Sequence, residues 1–306
     1  MADRREIGRG WDEASIASQR GRRYLVTGGT SGLGEATARV LRSLGAHVTL
    51  TARNADKARD IVATGGASDV LAMDLTDLSS VRAAAARVSE PYDVVILNAG
   101  VMWTPYQLTA DGFELQMGTN HLGHFAFAGL LQDFITDRLV TVSSLYQRYG
   151  TLGDGSREEI RRRCLGQSPY SSRGAYGDSK LANMLFTEEI ERRRRDHGWP
   201  FIAVAAHPGW SNTNLFTASS STTGVMARGA ALSTRLLAQS AQRGALPQLC
   251  AATLPALSGG EYFGPRGLGQ LRGTPTIVEP SPRALAVELA AHLWEVSEEL
   301  TGVTWK

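Results

Sequence analysis

Short apolar, β-rich runs alternate along this chain with segments of helical periodicity, and this alternation constrains the fold more than any other feature. The run Arg23–Thr27 ends at Gly28, Glu35–Leu44 has helical spacing and stops at Gly45, and Val48–Thr51 is extended again. Asp56–Ala63 and Val81–Val88 read as helices on either side of an extended Val70–Met73, and Val94–Leu97 is a wholly apolar strand. Strands without polar alternation are buried on both faces, which suits a parallel sheet covered by its crossover helices. The pattern continues with a mostly helical Phe113–Phe134, a strand at Leu139–Val142, a long helix over Ala175–Arg195 and a strand at Phe201–Ala206. Gly224–Ser240 reads as helical, Tyr262–Phe263 as a short final strand and Pro282–Glu299 as the last helix. Alternation at this spacing predicts an α/β fold, a single-domain, doubly wound parallel sheet of about seven strands. Residues 1–20 form an N-terminal extension in this reading and 21–306 the domain itself.

Two segments break the alternation. Tyr146–Arg173 is too long for a simple strand-to-helix connection and carries a basic patch, Arg161–Arg163, and long loops in compact domains are usually functional or mobile. Asn212–Thr223 is Ser/Thr-rich and has the composition of a lid.

Composition excludes several classes of function. With 42% hydrophobic and 20% charged residues the chain is neither disordered nor collagenous. A formal charge of +2 is too balanced to imply nucleic acid or an acidic membrane as partner. The two cysteines, Cys164 and Cys250, make no disulfide framework and belong to no C-x-x-C pair. The polar stretch Met1–Arg20 lacks the core of a signal peptide, and the apolar stretch around Leu122–Leu131 falls short of the ~18–20 residues that span a bilayer. A soluble, cytoplasmic protein with no membrane span is expected. His121 and His124 stand i, i+3 but no third ligand has matching spacing, so no metal site is expected. The run Glu191–Arg195 closes a long helix, where arginines favour the helix dipole, and reads as a solvated face.

The first strand is followed by Thr27-Gly28-Gly29-Thr30-Ser31-Gly32-Leu33-Gly34, which opens a helix. Glycines between a strand and a helix permit a tight turn and close backbone approach to a pyrophosphate, and the helix N-terminus supplies free N–H donors. This context points to a dinucleotide site in a Rossmann-type sheet. An acid at the end of the second strand would hold an adenosine 2′-hydroxyl and repel a 2′-phosphate. That strand ends Thr51-Ala52-Arg53 instead, and the Arg53 guanidinium can face a 2′-phosphate. NADP(H) rather than NAD(H) is therefore expected.

The spacing G-x3-G-x-G resembles that of the short-chain dehydrogenase/reductase family, and the resemblance extends over nearly the whole chain. It implies adenine contacts at Asp74-Leu75 and a cofactor-binding turn at Asn98-Ala99-Gly100, where Leu97 replaces the first Asn of the family's N-N-A-G. Tyr176-Gly177-Asp178-Ser179-Lys180 matches the family's Y-x-x-x-K. His207-Pro208-Gly209 follows the sixth strand, with Thr213 placed for the nicotinamide carboxamide. The runs Asn120-His121-Leu122-Gly123-His124-Phe125 and Ser179-Lys180-Leu181-Ala182-Asn183 are similar to the retinol dehydrogenase and WW-domain oxidoreductase branch, and Trp294-Glu295-Val296-Ser297 to the ending of its bacterial members. Light-dependent protochlorophyllide reductases carry Cys two residues after the Lys; here that position is Ala182.

Tyr176 and Lys180 stand i, i+4 and project from one helix face. A phenol of pKa ~10 is a poor base at neutral pH, and a nearby ammonium together with the cation of an oxidised nicotinamide lowers that pKa. Lysine is scarce here: among 32 basic residues only Lys57, Lys180 and Lys306 are lysine. The resemblance makes Tyr176 the proton donor or acceptor and gives Lys180 the nicotinamide ribose. It also makes Ser144, rather than Ser143, the hydroxyl that orients the substrate oxygen. Asn120 would bind a backbone carbonyl and a water that relays protons to Lys180. The 32-residue spacing from Ser144 to Tyr176 is longer than is usual in the family.

These readings predict an NADP-dependent oxidoreductase that passes hydride between nicotinamide and a carbonyl or alcohol. The alternative is a non-catalytic, NADP-binding redox-sensing interaction protein. Trp103, Tyr106, Tyr146, Tyr149, Trp210, Leu215 and Phe216 lie near strand C-terminal ends, where such sheets bind ligands, and predict an apolar pocket for a bulky lipophilic carbonyl. Arg148 and Arg161–Arg163 point the other way, toward an anionic substrate. The resemblance implies that the long helices Phe113–Phe134 and Ala175–Arg195 could pair copies into a homodimer or homotetramer.

Overall fold

The computed structural model describes residues 7–8, 10–210 and 239–306. Its first half alternates without exception. Strand β1 (Arg23–Val26) leads to helix α1 (Gly32–Ser43), β2 (His47–Ala52) to α2 (Ala55–Ala63), β3 (Asp69–Ala72) to α3 (Leu78–Ala85), and then β4 (Tyr92–Leu97) follows. Next come a short helical turn α4 (Leu115–Met117), a π-helical turn at Gly118–Leu122, helix α5 (Gly123–Leu130) and strand β5 (Ile135–Val142). Helices α6 (Arg157–Cys164) and α7 (Ser172–His197) precede β6 (Ile202–Ala206), and α8 (Ala241–Thr253), β7 (Tyr262–Pro265), β8 (Pro275–Ile277) and α9 (Val287–Thr301) complete the fold.

The strands form one sheet in the order β3-β2-β1-β4-β5-β6-β7-β8. The first seven are parallel and β8 runs antiparallel to β7. The expected seven strands thus become eight. The extra strand is three residues long and begins at a proline on the sheet edge, too short to carry a periodic signal.

Successive residues of the central strands feed opposite faces, as the two-residue period requires. Val26, Val94 and Ile96 pack with α1 and α8 on one face. Leu25, Val95 and Leu97 pack with Phe127, Phe186 and Trp294 on the other. Ile7, Trp11 and Ile16 are buried on the first of these faces, so this stretch of the first 20 residues is docked on the sheet domain. Asp12 caps the 3-10 turn Glu13–Ser15 by accepting from Ala14 N at 3.0 Å.

The strand order reverses between β1 and β4. Chains leave the sheet there in opposite directions and open a crevice at the strands' C-terminal ends. Gly28, Asn98 and Ser144, at the ends of β1, β4 and β5, all stand on that edge. The segment Tyr146–Arg173 is partly helical rather than a loop, through a 3-10 turn at Leu145–Tyr149 and α6. Of the expected features, Thr213, Leu215, Phe216, the lid-like Asn212–Thr223 and most of Gly224–Ser240 lie outside the described residues.

Candidate functional site

At the β1–β4 crevice the backbone itself forms the floor. Gly28 has φ +67°, in the left-handed region that glycine adopts at no steric cost, and a Cβ there would meet Ala99 Cα at 2.8 Å. A Cβ on Gly34 would stand 2.5 Å from Gly28 O. The turn is held from below by Thr27, whose Oγ1 accepts from Asn98 N at 2.9 Å and Ala99 N at 3.0 Å. Asn98 Nδ2 returns a bond to Thr27 O at 2.8 Å. These bonds clamp the ends of β1 and β4 together.

Above this floor lies a cavity of about 400 Å³. Gly28, Thr30, Ser31, Gly32 and Leu33 line it from the first turn and the start of α1. Asn98, Ala99 and Gly100 line it from β4, and Asp74 and Leu75 from the end of β3. Arg53, Asn54 and Lys57 line its wall from the end of β2 and the start of α2. Asn54 caps α2 by accepting from Lys57 N at 3.0 Å, which sets the lysine's place on the first turn. Asp74 Oδ1 accepts from Thr76 N at 2.9 Å and from Thr76 Oγ1 at 2.8 Å.

The expected catalytic group assembles beside this cavity. A Cβ on Gly100 would stand 3.0 Å from Asn120 Oδ1 and 3.5 Å from Lys180 Nζ, so the cavity wall runs directly into it. Tyr176 and Lys180 share one face of α7, with Nζ 5.7 Å from the centre of the phenol ring. Ser144 stands next to the Tyr176 phenol and caps the 3-10 turn by accepting from Tyr146 N at 3.2 Å. Ser143 is turned inward and donates to Lys180 O at 2.8 Å. One serine thus lies toward the phenol and the other braces the helix.

Asn120 sits in the π-helical turn, where Gly123 N reaches back to Gly118 O. Its side chain grips Val101 from both sides, with Oδ1 accepting from Val101 N at 2.8 Å and Nδ2 donating to Val101 O at 2.9 Å. The carbonyl of Asn120 accepts from His124 Nδ1 at 3.0 Å, which fixes the proton on that nitrogen. His124 Nε2 therefore accepts from Thr27 Oγ1 at 2.8 Å. Burial lowers His124 to about 4, so it stays neutral at ordinary pH. The histidine links the glycine turn to the asparagine, with both ring nitrogens engaged. Among the described residues no group of three or more His, Cys, Asp or Glu could hold a metal ion.

The electrostatics depart from expectation at Tyr176. Burial pushes the phenol up to about 12, the Ser144 hydrogen bond opposing it. Burial also lowers Lys180 to about 8, although its ammonium donates to Val142 O at 3.0 Å. Desolvation of both groups outweighs the attraction of the ammonium for a phenolate. Tyr176 is consequently a protonated acid at neutral pH.

Pro208 and Gly209 stand at the C-terminal end of β6. Gln239 Nε2 donates to Pro208 O at 2.6 Å, and Trp210 N to Leu271 O at 2.7 Å. Their side of the sheet edge lies outside the wall of the 400 Å³ cavity.

The aromatic residues form a chain leading to the phenol. Trp103 meets Tyr146 edge-on at 5.4 Å, and Tyr146 lies 5.6 Å from Tyr176 and 5.4 Å from Tyr149. Tyr106 instead packs on Tyr170 at 5.3 Å, away from that chain. The basic patch is engaged elsewhere. Arg161 pairs with Glu299 at 2.9 Å, Arg163 with Asp178 at 2.7 Å and Glu159 at 2.8 Å, and Arg162 with Glu159 at 3.7 Å. Arg157 adds a bond to Glu295 at 2.7 Å. The patch fastens α6 to α7 and α9 and is not a free anion receptor.

The sequence profile of the short chain dehydrogenase family matches residues 22–153. Among curated proteins, the short-chain dehydrogenase TIC 32 B, chloroplastic, of Brassica napus is 34% identical over 300 residues, covering 90% of this chain and 87% of that protein. Retinol dehydrogenase 12 of Homo sapiens is 35% identical over 304 residues, covering 94% of this chain and 88% of that protein. A crystal structure of an uncharacterised protein from Mycobacterium paratuberculosis superposes with a TM-score of 0.82 at 41% identity, covering 97% of this chain and 99% of that one. A short chain dehydrogenase from Burkholderia cenocepacia, solved in complex with NADP, shares the fold at 23% identity and a TM-score of 0.59, covering 80% of this chain and 96% of that one. Among the described residues no helix is long and apolar enough to cross a membrane.

Proposed function

This chain belongs to the short-chain dehydrogenase/reductase family of NAD(P)-dependent oxidoreductases, and from that premise we propose that it is an NADP-dependent reductase of bulky, lipophilic carbonyl compounds or dehydrogenase of the matching alcohols. The observation that carries the reading is the Ser144–Tyr176–Lys180 group beside a glycine-floored cavity whose far end holds Arg53 and Lys57. The cavity suits a dinucleotide. Side chains are excluded where the backbone would approach a pyrophosphate, and the first-turn N–H groups of α1 are free to receive it. Thr119 Oγ1, buried in the same wall, has no hydrogen-bond partner among the described residues and can serve the ligand. Arg53 and Lys57 supply the positive charge that a 2′-phosphate requires.

The bound cofactor would supply the hydride; positioning and proton transfer belong to the protein. Ser144 orients the carbonyl oxygen against the phenol. Tyr176, a protonated phenol that burial shifts further from ionising, gives its proton to that oxygen as negative charge develops there. Lys180, below pH 8, stabilises the phenolate left behind. Asn120 holds the Val101 backbone and so keeps the β4 turn in register with Lys180. Trp103 and Tyr146 offer the substrate an apolar wall next to the phenol.

NADPH oxidation over a panel of ketones and aldehydes tests the proposal. Turnover is expected with apolar carbonyls, and Tyr176→Phe should reduce kcat by roughly 10²–10⁴ while leaving NADPH binding intact. Undiminished activity in Tyr176→Phe would refute the assignment.

A further inference from the structure

We propose that Gln116 is a positioning residue for substrate selection, because its buried amide sets the stance of Trp103, which packs on Tyr146 next to the Tyr176 phenol. The inference rests on the reading above that substrate lies against Tyr176.

Gln116 is wholly buried on the short turn α4, outside the cavity wall. Its amide is fully used. Oε1 accepts from Trp103 N at 2.8 Å, and Nε2 donates to Ser172 O at 2.9 Å and to Tyr170 Oη at 3.1 Å. Tyr170 Oη in turn donates to Thr104 O at 2.7 Å. One side chain thus ties together the loop after β4, the end of the insertion and the first turn of α7, four residues before Tyr176.

Trp103 is the part of this brace that needs holding. Its φ is +54°, in the left-handed region where a bulky side chain is strained. Strained backbone persists only where its surroundings over-determine it. Among the described residues, Tyr146 against the ring edge at 5.4 Å and the Arg173 guanidinium over its face at 5.0 Å add to the Gln116 bond. The ring chain Trp103–Tyr146–Tyr176 then transmits the position of Trp103 to the proton donor. Without the amide, Trp103 can relax to an ordinary backbone conformation and move its indole relative to Tyr146. A bulky substrate that spans the wall would feel this shift, whereas a small one held only at Ser144 and Tyr176 would not.

The test compares the full-length protein with Gln116→Met, Tyr170→Phe and Trp103→Ala, using NADPH with a small methyl ketone and a bulky aryl ketone. Gln116→Met should lose tenfold or more in kcat/KM on the bulky ketone, through KM, and less than threefold on the small one. Its dissociation constant for NADPH should not change. Tyr170→Phe removes one link of the brace and keeps the ring, and should shift selectivity the same way by a smaller factor. Equal losses on both ketones, or lowered thermal stability with unchanged selectivity, would overturn the proposal. If Gln116→Met does not fold, Tyr170→Phe decides alone. Trp103→Ala separates the premises. Unchanged selectivity there sinks the substrate wall itself. Changed selectivity there, with none in Gln116→Met and Tyr170→Phe, sinks only the role of Gln116.

Discussion

Asp178 and Arg163 form an ion pair at 2.7 Å that joins the helix of Tyr176 to the inserted segment Tyr146–Arg173. The carboxylate is nearly inaccessible, and its other oxygen accepts from Thr151 N at 2.7 Å and Leu152 N at 3.0 Å. Asp178 lies two residues after Tyr176, so one turn of α7 presents the phenol to the cavity and anchors the insertion beside it. Leu152 takes a positive φ of 50° at that anchor. The insertion is therefore a docked wall of the site.

Replacing Asp178 should be costly for this reason. Asp178→Ala leaves the buried Leu152 amide without its acceptor and the Arg163 guanidinium with Glu159 alone, and removal of one partner of a buried pair costs about 3 kcal/mol. Asp178→Asn keeps one acceptor and should lose less, about 1–2 kcal/mol. Urea unfolding with unchanged m-values checks both. A loss below 0.5 kcal/mol in Asp178→Ala would mean that the insertion is not held there.

The residues legible in the sequence are those whose chemistry is local. Glycines at a strand–helix junction and a Tyr–Lys pair on one helix face declare themselves through spacing alone, and the structure brings both groups to the same sheet edge. What the sequence hides depends on distant partners. Arg161 reads as part of a basic patch because its partner, Glu299, lies 138 residues away in the chain. Helix α8 escapes because Gly244 and Pro247 fall inside it, and proline interrupts the pattern by which helices are read. The upward shift of the Tyr176 phenol follows from burial, which no i, i+4 rule can supply. Gln116 carries no signal at all: a glutamine before a helical run is ordinary until its three partners are seen.

Lys180 makes a prediction about pH. Its folded value of about 8 lies below the ordinary 10.5, so the unfolded chain binds more protons between those values. Stability rises with pH wherever the unfolded state binds more protons, so Lys180 should contribute a rise from about pH 8 to 10.5. Lys180→Met removes the buried ammonium, and Val142 O keeps Asn183 Nδ2 as donor at 3.2 Å. The variant should be inactive yet more stable than the parent below pH 8, with the difference shrinking above it. Denaturation at pH 7 and pH 10 measures this; a constant difference would contradict it.

Cofactor preference turns on Arg53. An exposed guanidinium–phosphate contact contributes about 1–2 kcal/mol, so Arg53→Ala should weaken NADPH about tenfold and leave NADH within twofold. Adding Lys57→Ala should weaken NADPH further. The parent's NADPH affinity should fall as salt rises, since the screening length is only ~8 Å at physiological ionic strength. Fluorescence titration of both nucleotides tests it, and tighter binding of NADH by the parent would refute the assignment.

The engaged state of the arginines predicts which carbonyls the protein rejects. Arg161 and Arg163 are held by Glu299, Asp178 and Glu159, and these carboxylates cancel much of the positive field that an anionic substrate would need. The wall nearest the phenol is aromatic, formed by Tyr146 and Trp103. A keto acid would have to shed its water there without gaining a paired cation, whereas a neutral ketone gains by burying apolar surface. Neutral aryl ketones should therefore exceed size-matched keto acids in kcat/KM by tenfold or more, about 1.4 kcal/mol in the transition state. The ratio should change little between low and high salt, because no exposed ion pair sets it. Steady-state kinetics on matched pairs at both ionic strengths measures it. A lead for the acids that disappears in salt would instead make Arg148, exposed at the end of the 3-10 turn, the recognition element, and Arg148→Ala would then abolish that lead.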